Sequence, residues 1–186
     1  MRVISGKARG TKLNSIDSIS TRPTLDRIKE SLFNIIQNKI IDSIVLDLFA
    51  GSGAIGIECI SRDCEKAYFC DKSVMACEMI YKNLEKTRFL DKSVVMQRDY
   101  KKCLGELKQK NISFDIIYID PPYSDKIATK AVQQIMEYNL LKEDGIIIIE
   151  TDDEARELEE LKQIELQVYD LRKYGRVSLI FLNRKG

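Results

Sequence analysis

From residue 43 onwards, short apolar runs alternate along the chain with longer stretches of helical periodicity. The apolar runs lie at residues 44–49, 67–70, 93–97, 114–119 and 145–150, and the helical stretches lie near 54–61, 73–87, 100–109, 126–138 and 153–162. Short strands that are apolar on both faces and alternate with helices are typical of a parallel sheet covered by helices. The alternation therefore predicts an α/β fold with a mostly parallel sheet.

The C-terminal tail follows a different pattern. Residues 167–171 and 176–182 are two more strand-like runs, and the turn signal Lys173-Tyr174-Gly175 lies between them. A hairpin at the sheet edge would bring the sheet to seven strands and make the last strand antiparallel.

The N-terminal region is basic and lies outside this alternation. Residues 2–5 and 11–14 flank Gly6 and Gly10, which predicts a short hairpin or extended arm, and a helix begins at the segment 22–24, RPT. Residues 1–39 carry 8 Lys/Arg against 3 Asp/Glu, whereas the rest of the chain is net acidic. We interpret residues 1–186 as one domain in which residues 1–20 form a basic appendage. A phosphate-contacting arm and a solvated hairpin both fit this charge.

Composition excludes several classes of protein. No apolar run approaches the roughly 20 residues of a membrane span, and the N-terminus lacks a signal-peptide core, so we expect a cytoplasmic protein. The chain has five cysteines with no C-x-x-C spacing and no histidine. The cysteine count and spacing argue against disulfides and a metal site and favour buried thiols. The absence of histidine rules out a histidine acid or base.

A glycine-rich turn follows the first strand. Residues 45–56 read VLDLFAGSGAIG, in which Gly51, Gly53 and Gly56 match G-x-G-x-x-G, and Asp71 follows at the end of the second strand. Such a loop lets the backbone approach a nucleoside ligand, and the acid can hold ribose hydroxyls. By pattern alone, NAD fits this motif. Asp47, inside the strand, would repel a pyrophosphate but could help to hold a cationic ligand.

The fourth strand ends in the tetrad Asp120-Pro121-Pro122-Tyr123. An exocyclic amine on a nucleic-acid base is a poor nucleophile, because its lone pair is delocalised into the ring. The Asp120 carboxylate and the Pro121 carbonyl can each accept one N–H and so aim that lone pair at a methyl group. Tyr123 can stack on a base that has swung out of its helix. Hydride transfer has no use for this tetrad.

The sequence resembles the RsmD family of 16S rRNA guanine-N2 methyltransferases. The likeness rests on the glycine loop, the acid after strand two, Asp99 after strand three and the tetrad, together with RVISGKARGTKL at residues 2–13, RPTLDRIKESLFN at 22–34 and the late KYG. The family is a group of Rossmann-like class I methyltransferases. One departure is Asp71, where a glutamate is more usual.

This resemblance implies the cofactor and the roles of individual residues. Asp71 would hold the ribose, and Asp99 would accept from the adenine amine or cap the next helix. The residues predicted to bind S-adenosylmethionine are Asp47, Phe49, Gly51, Gly53, Asp71, Lys72, Asp99 and Asp120. The residues predicted to position the target base are Asp120, Pro121, Pro122 and Tyr123. The residues predicted to contact RNA are Arg2, Lys7, Arg9, Lys12 and Arg22.

The predicted function is N2-methylation of a guanine in 16S rRNA, within an assembled or assembling small subunit, by a monomer without a metal. Three other classes stay open. An amino-group methyltransferase of DNA adenine or protein glutamine shares the tetrad, but the chain has no inserted target-recognition domain. A binding module that has lost catalysis is disfavoured by the intact tetrad. An NAD-dependent oxidoreductase is disfavoured by Asp47 and the tetrad.

Overall fold

The computed structural model describes residues 1–15, 22–122 and 127–186, with the backbone alone for residues 22–25. The helices are α1 (Arg22–Ile36), α2 (Ala54–Ser61), α3 (Val74–Thr87), α4 (Tyr100–Gln109), α5 (Ala128–Glu137) and α6 (Glu154–Leu161). The strands are β1 (Ile44–Asp47), β2 (Lys66–Asp71), β3 (Ser93–Gln97), β4 (Phe114–Ile119), β5 (Leu141–Thr151), β6 (Leu166–Tyr174) and β7 (Val177–Arg184).

The strands form one seven-stranded sheet in the order β3-β2-β1-β4-β5-β7-β6. Strands β1 to β5 pair in parallel, and β7 runs antiparallel to both β5 and β6. The predicted Rossmann-like sheet with its last strand antiparallel is therefore confirmed. The strand order reverses between β1 and β4, and the crevice beyond the strand ends at such a reversal is where open α/β sheets bind ligands.

Each face of the sheet buries its own apolar core. Helices α1, α2 and α3 cover one face around Phe33, Phe69 and Phe181, and we call this the α1 face. Helices α4, α5 and α6 cover the other face around Phe114. Isoleucine-rich strands alternate their side chains between the two faces, so β4 and β5 contribute to both cores. All five cysteines are free and buried, as predicted.

The basic N-terminal segment packs closely against α2. A bridge pairs Arg2 with Lys12, so of the two predicted forms, a short hairpin and an extended arm, the segment adopts the hairpin. Val3, Ala8 and Leu13 are buried. Gly6 has a φ of +81°, and a Cβ there would lie 1.7 Å from the backbone oxygen of Ser61 on α2.

A buried carboxylate fastens this segment to the protein body. Glu58 on α2 accepts hydrogen bonds from the backbone nitrogens of Ile4 at 2.8 Å and Ser5 at 2.9 Å. It also pairs with Lys29 of α1 at 2.9 Å and with Arg62. Burial lowers the pKa of Lys29, and the Glu58 charge opposes that shift. A buried charge is tolerated when it is paired and hydrogen-bonded in this way.

Candidate active site

The glycine loop joins β1 to α2 at the point where the sheet order reverses. Gly51 and Gly53 have φ values of 54° and 77°, a region that glycine adopts without steric cost. A Cβ on Gly56 would lie 2.3 Å from the Phe69 ring, so this third glycine lets α2 lie against β2. A Cβ on Gly51 would meet only open space. The backbone of Gly51 is therefore accessible from the crevice beyond the strand ends.

Asp71 ties this loop to the start of α3. One of its carboxylate oxygens accepts a hydrogen bond from the Gly51 nitrogen at 2.9 Å, and the other accepts from the Ser73 nitrogen at 2.9 Å. Each carboxylate oxygen can accept more than one hydrogen bond. Asp71 can therefore hold the loop and still accept from a ligand hydroxyl.

A cavity of about 440 Å³, here called the main cavity, opens beyond the ends of β1, β2 and β4. Its wall includes six of the eight residues predicted to bind the cofactor, namely Phe49, Gly51, Asp71, Lys72, Asp99 and Asp120. Pro121 and Pro122 also line it. The structure does not bring the other two predicted residues to this wall, since Asp47 lines a neighbouring cavity and Gly53 packs near Ile80 and Phe69.

Asp99 lies at the edge of the main cavity and caps α4. Its side chain accepts a hydrogen bond from the Lys101 nitrogen at 3.0 Å, as an N-cap does. The Tyr100 ring packs 5.6 Å from the Phe49 ring, and both line the cavity. The cavity thus combines an aromatic wall with carboxylates at its rim. Sequence reasoning missed Tyr100, although its position directly after Asp99 could have suggested it.

Three carboxylates converge at the ends of neighbouring strands. Asp47 pairs in register with Tyr118, and Tyr118 pairs with Ile148. Because side chains alternate along a strand, Asp120 and Glu150, each two residues further on, point to the same α1 face as Asp47 and Tyr118. The Tyr118 hydroxyl donates a hydrogen bond to Glu150 Oε2. Sequence reasoning missed Glu150, whose one signal is a charged residue ending a run of four isoleucines.

Burial shifts the pKa of each of these carboxyl groups upward. The pKa of Asp120 lies well above its ordinary value because of burial and the nearby charges of Glu150 and Asp47. Burial raises the pKa of Glu150, against the effect of the Tyr118 hydrogen bond. Burial also raises the pKa of Asp47 to about 7, although a hydrogen bond from the Gly56 nitrogen opposes this. Cationic or proton-donating ligands would relieve this crowding of negative charge.

A second cavity of about 180 Å³, here called the adjoining cavity, lies on the α1 face of these strand ends. Met1, Ile28 and Lys29 bound it on one side, and Asp47, Tyr118, Asp120 and Glu150 bound it on the other. Phe49, Gly51, Asp120 and Glu150 line both cavities. Asp120 and Glu150 therefore stand where the two cavities meet.

Several predicted residues lie elsewhere. Tyr123 and the side chain of Arg22 fall outside the described residues. The four cations Arg2, Lys7, Arg9 and Lys12 are all exposed on the N-terminal segment, and Lys7 pairs with Asp63. Within residues 1–15, 22–122 and 127–186, no group of three or more potential ligand side chains could hold a metal ion. The described helices include none with the length and apolar character to cross a bilayer.

Comparisons with known proteins agree with this architecture. A family described as conserved hypothetical protein 95 matches residues 1–183. A Bacillus subtilis protein named YlbH, described as a candidate rRNA methyltransferase, is 36% identical over 188 residues and covers 100% of both chains. The ribosomal RNA small subunit methyltransferase D of Haemophilus influenzae is 35% identical over 156 residues, which span 82% of this chain and 79% of that protein.

Solved structures share the fold. The Escherichia coli protein yhhF, described as a candidate methyltransferase, superposes with a TM-score of 0.82 at 26% identity, covering 100% of this chain and 98% of that one. A more distant chain, SMU.776, was solved in complex with S-adenosylhomocysteine. It superposes with a TM-score of 0.69 at 15% identity over 80% of this chain and 48% of that one, which shows a common fold.

Proposed function

The chain belongs to the family described as conserved hypothetical protein 95, and from that premise we propose that it methylates the exocyclic N2 amine of a guanine in 16S rRNA. Its relatives are named as rRNA methyltransferases, and the chain is an rRNA methyltransferase; S-adenosylmethionine is the methyl donor in our proposal. We propose the N2 amine as the methyl acceptor and assign roles to individual residues on the same basis.

The main cavity fits S-adenosylmethionine. Gly51 presents bare backbone to it, and the aromatic wall of Phe49 and Tyr100 suits an adenine ring. Asp71 can accept from ribose hydroxyls and Asp99 from the adenine amine, while Lys72 lies beside Asp71 on the wall. Asp47, one residue beyond the wall, supplies negative charge, and Gly53 shapes the turn.

When bound, S-adenosylmethionine supplies a methyl group on a positively charged sulfonium. The protein has to aim a weak nucleophile at that group, and Asp120 carries this task in our proposal. Its carboxylate and the Pro121 carbonyl each accept one N–H of the guanine amine, which turns the nitrogen lone pair toward the methyl carbon. Transfer of the methyl group would form the N–C bond as the S–C bond of the sulfonium breaks, and the methylated amine would be more acidic, so that Asp120 is placed to take its proton. The raised pKa of Asp120 suits a proton acceptor in a chain without histidine.

Binding of the RNA involves groups outside this pair of cavities. We propose that Tyr123 stacks on the flipped guanine, and that Arg2, Lys7, Arg9, Lys12 and Arg22 contact RNA phosphates. Four of these cations are exposed on the N-terminal segment, which supports such a contact. The substrate in this proposal is the assembled or assembling small subunit, and the enzyme acts as a cytoplasmic monomer.

The single observation that carries the proposal is Asp120 at the junction of two cavities, with a raised pKa. The test is methyl transfer to small-subunit particles from a strain that lacks the enzyme, followed by nucleoside mass spectrometry. Asp120→Asn keeps the shape but loses the charge, so kcat should fall about a hundredfold or more. Cofactor affinity should change far less.

The matched control is Asp115→Asn, because Asp115 lies at the far end of the same strand, where it accepts from the Ile44 nitrogen and pairs with Lys142, and it lines neither cavity. Its rate should stay near that of the wild type. A wild-type rate for Asp120→Asn would refute the mechanism. A product other than N2-methylguanosine, such as N6-methyladenosine, would refute the substrate assignment.

A further inference from the structure

Glu150 is a buried carboxylate at the reaction centre that has no part in the mechanism above. It is 8% exposed, and it lines both the main and the adjoining cavity. A buried carboxylate costs stability unless it is paired. Tyr118 donates one hydrogen bond to it, and a ligand that offers a donor would supply another.

The register of the sheet places Glu150 beside Asp120. Ile119, the last residue of β4, pairs with Ile149 of β5, and Asp120 and Glu150 are the next residues along the chain. Neighbouring strands lie about 4.8 Å apart, and both side chains point to the α1 face. A planar base whose amine contacts Asp120 can therefore place an adjacent ring atom next to Glu150.

One oxygen of Glu150 is occupied and the other is available. Tyr118 donates to Oε2, and no other described residue donates to this carboxylate. Tyr118 is itself buried and pairs in register with both Asp47 and Ile148, so it holds the Glu150 side chain in a fixed orientation. Oε1 is left as an acceptor between the two cavities.

The bases that carry an exocyclic amine differ at the ring atom beside it. In guanine, the carbon that bears the N2 amine lies between N3, which has no hydrogen, and N1, which bears a hydrogen and donates. In adenine and cytosine, the ring nitrogen beside the amine has no hydrogen and accepts. Enzymes that act on a flipped base read this edge by hydrogen bonding. A protein acceptor placed next to the amine therefore favours guanine, whose N1–H it can accept. In adenine or cytosine, the same acceptor would face the lone pair of a ring nitrogen, and the two would repel each other.

We propose that Glu150 Oε1 accepts the N1–H of the target base and so makes the enzyme selective for guanine. This inference rests on the proposed function, because it requires Asp120 to hold the amine of a base. A site built to accept an N–H rejects an analogue that lacks it, since a buried acceptor is left unpaired.

The test replaces the target guanine by 2-aminopurine, which keeps the C2 amine but has no hydrogen on N1. The guanine that the wild type methylates is first mapped in small-subunit particles. Two 16S rRNAs are then ligated from synthetic and transcribed pieces, one with guanine and one with 2-aminopurine at that position, and assembled with small-subunit proteins. Initial rates of methylation are measured for each.

Wild-type enzyme should prefer guanine by at least about tenfold, the scale for one hydrogen bond to a charged group. In Glu150→Gln, we expect the Tyr118 hydroxyl to donate to the amide oxygen of the glutamine. The amide NH₂ group, which is a donor, then faces the base. This variant should lose guanine activity and keep or gain activity on 2-aminopurine, so its selectivity should fall by about a hundredfold. Glu154→Gln is the matched control, because Glu154 also accepts from a hydroxyl, that of Ser178, and lines neither cavity.

Each outcome separates the two proposals. Equal wild-type rates on the two RNAs would overturn the role of Glu150, and that measurement needs no variant to fold. An unchanged selectivity ratio in a Glu150→Gln protein that melts normally and binds S-adenosylhomocysteine would also overturn it. If the wild type methylates no guanine in the particle, the proposed function itself fails.

Discussion

Replacing Asp47 with asparagine should stabilise the protein without cofactor at neutral pH and weaken its hold on S-adenosylmethionine. Asp47 is 2% exposed, and its side chain accepts a hydrogen bond from the Gly56 nitrogen at 3.3 Å. Asparagine can keep that bond through its own oxygen while removing the charge. The same buried charge that the sulfonium would neutralise is therefore a cost to the free protein.

The size of the effect follows from the shift in pKa. Burial raises the pKa of Asp47 from 3.8 to about 7, and about 3 pKa units at about 1.4 kcal/mol each amount to about 4 kcal/mol. This is an upper limit, because the asparagine NH₂ needs an acceptor of its own. Below pH 3.8 the group is protonated in both the folded and the unfolded chain, so it changes nothing. Between 3.8 and 7 only the unfolded chain loses the proton, and the wild type loses stability as pH rises; above 7 the full cost is present.

The assay is urea unfolding of wild type and Asp47→Asn at several values between pH 4 and pH 8. The difference in unfolding free energy should be close to zero at pH 4, grow toward pH 7 and then level off. A difference that does not depend on pH would refute the reasoning. Cofactor binding is measured by calorimetry. The variant should lose about tenfold in affinity for S-adenosylmethionine but much less for S-adenosylhomocysteine, because the sulfur of the latter carries no charge.

Two further predictions concern the N-terminal segment. Gly6→Ala should lower the free energy of unfolding by about 2–4 kcal/mol in a urea titration, because its Cβ would lie 1.7 Å from a backbone oxygen of α2. Gly10→Ala is the control: Gly10 has a similar φ but open space around it, so this variant should lose clearly less stability. Equal losses in the two variants would contradict the close packing at Gly6. Replacing both Arg9 and Lys12 by glutamine should make the slope of log K for RNA binding against log salt concentration shallower by about 1.5. The slope is measured by filter binding from about 50 to 200 mM salt. An unchanged slope would show that these cations contact no phosphate.

The order of the elements could be predicted from local patterns. Strands β3 and β4 were predicted with their observed bounds, because an apolar run that ends in a polar turn is a signal within a few residues. The predicted bounds of β1 and β5 were less accurate, because pairing with neighbouring strands and the turn that follows decide where these strands begin and end. Strand β1 ends at Asp47, two residues before the apolar run does, since the chain turns there into the glycine loop. Strand β5 begins at Leu141, well before residue 145, because it pairs with Phe114 across an irregularity in register.

The N-terminal segment shows where local patterns fail. Its glycines and cations predicted a hairpin or an arm but not its packing, which depends on Glu58 and Ser61, 53 to 56 residues away along the chain. Neither residue has a neighbour in sequence that indicates such a contact. Only the folded chain brings the backbone nitrogens of the segment to those oxygens.

The sequence by itself determined the family and the fold, and it predicted the glycine-rich loop and Asp120 as site residues, because each of these signals lies in a short continuous run of residues. The tertiary structure decided that Asp47, Asp120 and Glu150 converge, that Tyr118 orients one of them, and that two cavities meet at Asp120. These residues come from three strands, and parallel pairing places their ends together although long helical connections separate them in sequence. The raised pKa values belong to this convergence, since burial and neighbouring charges are properties of the assembled sheet.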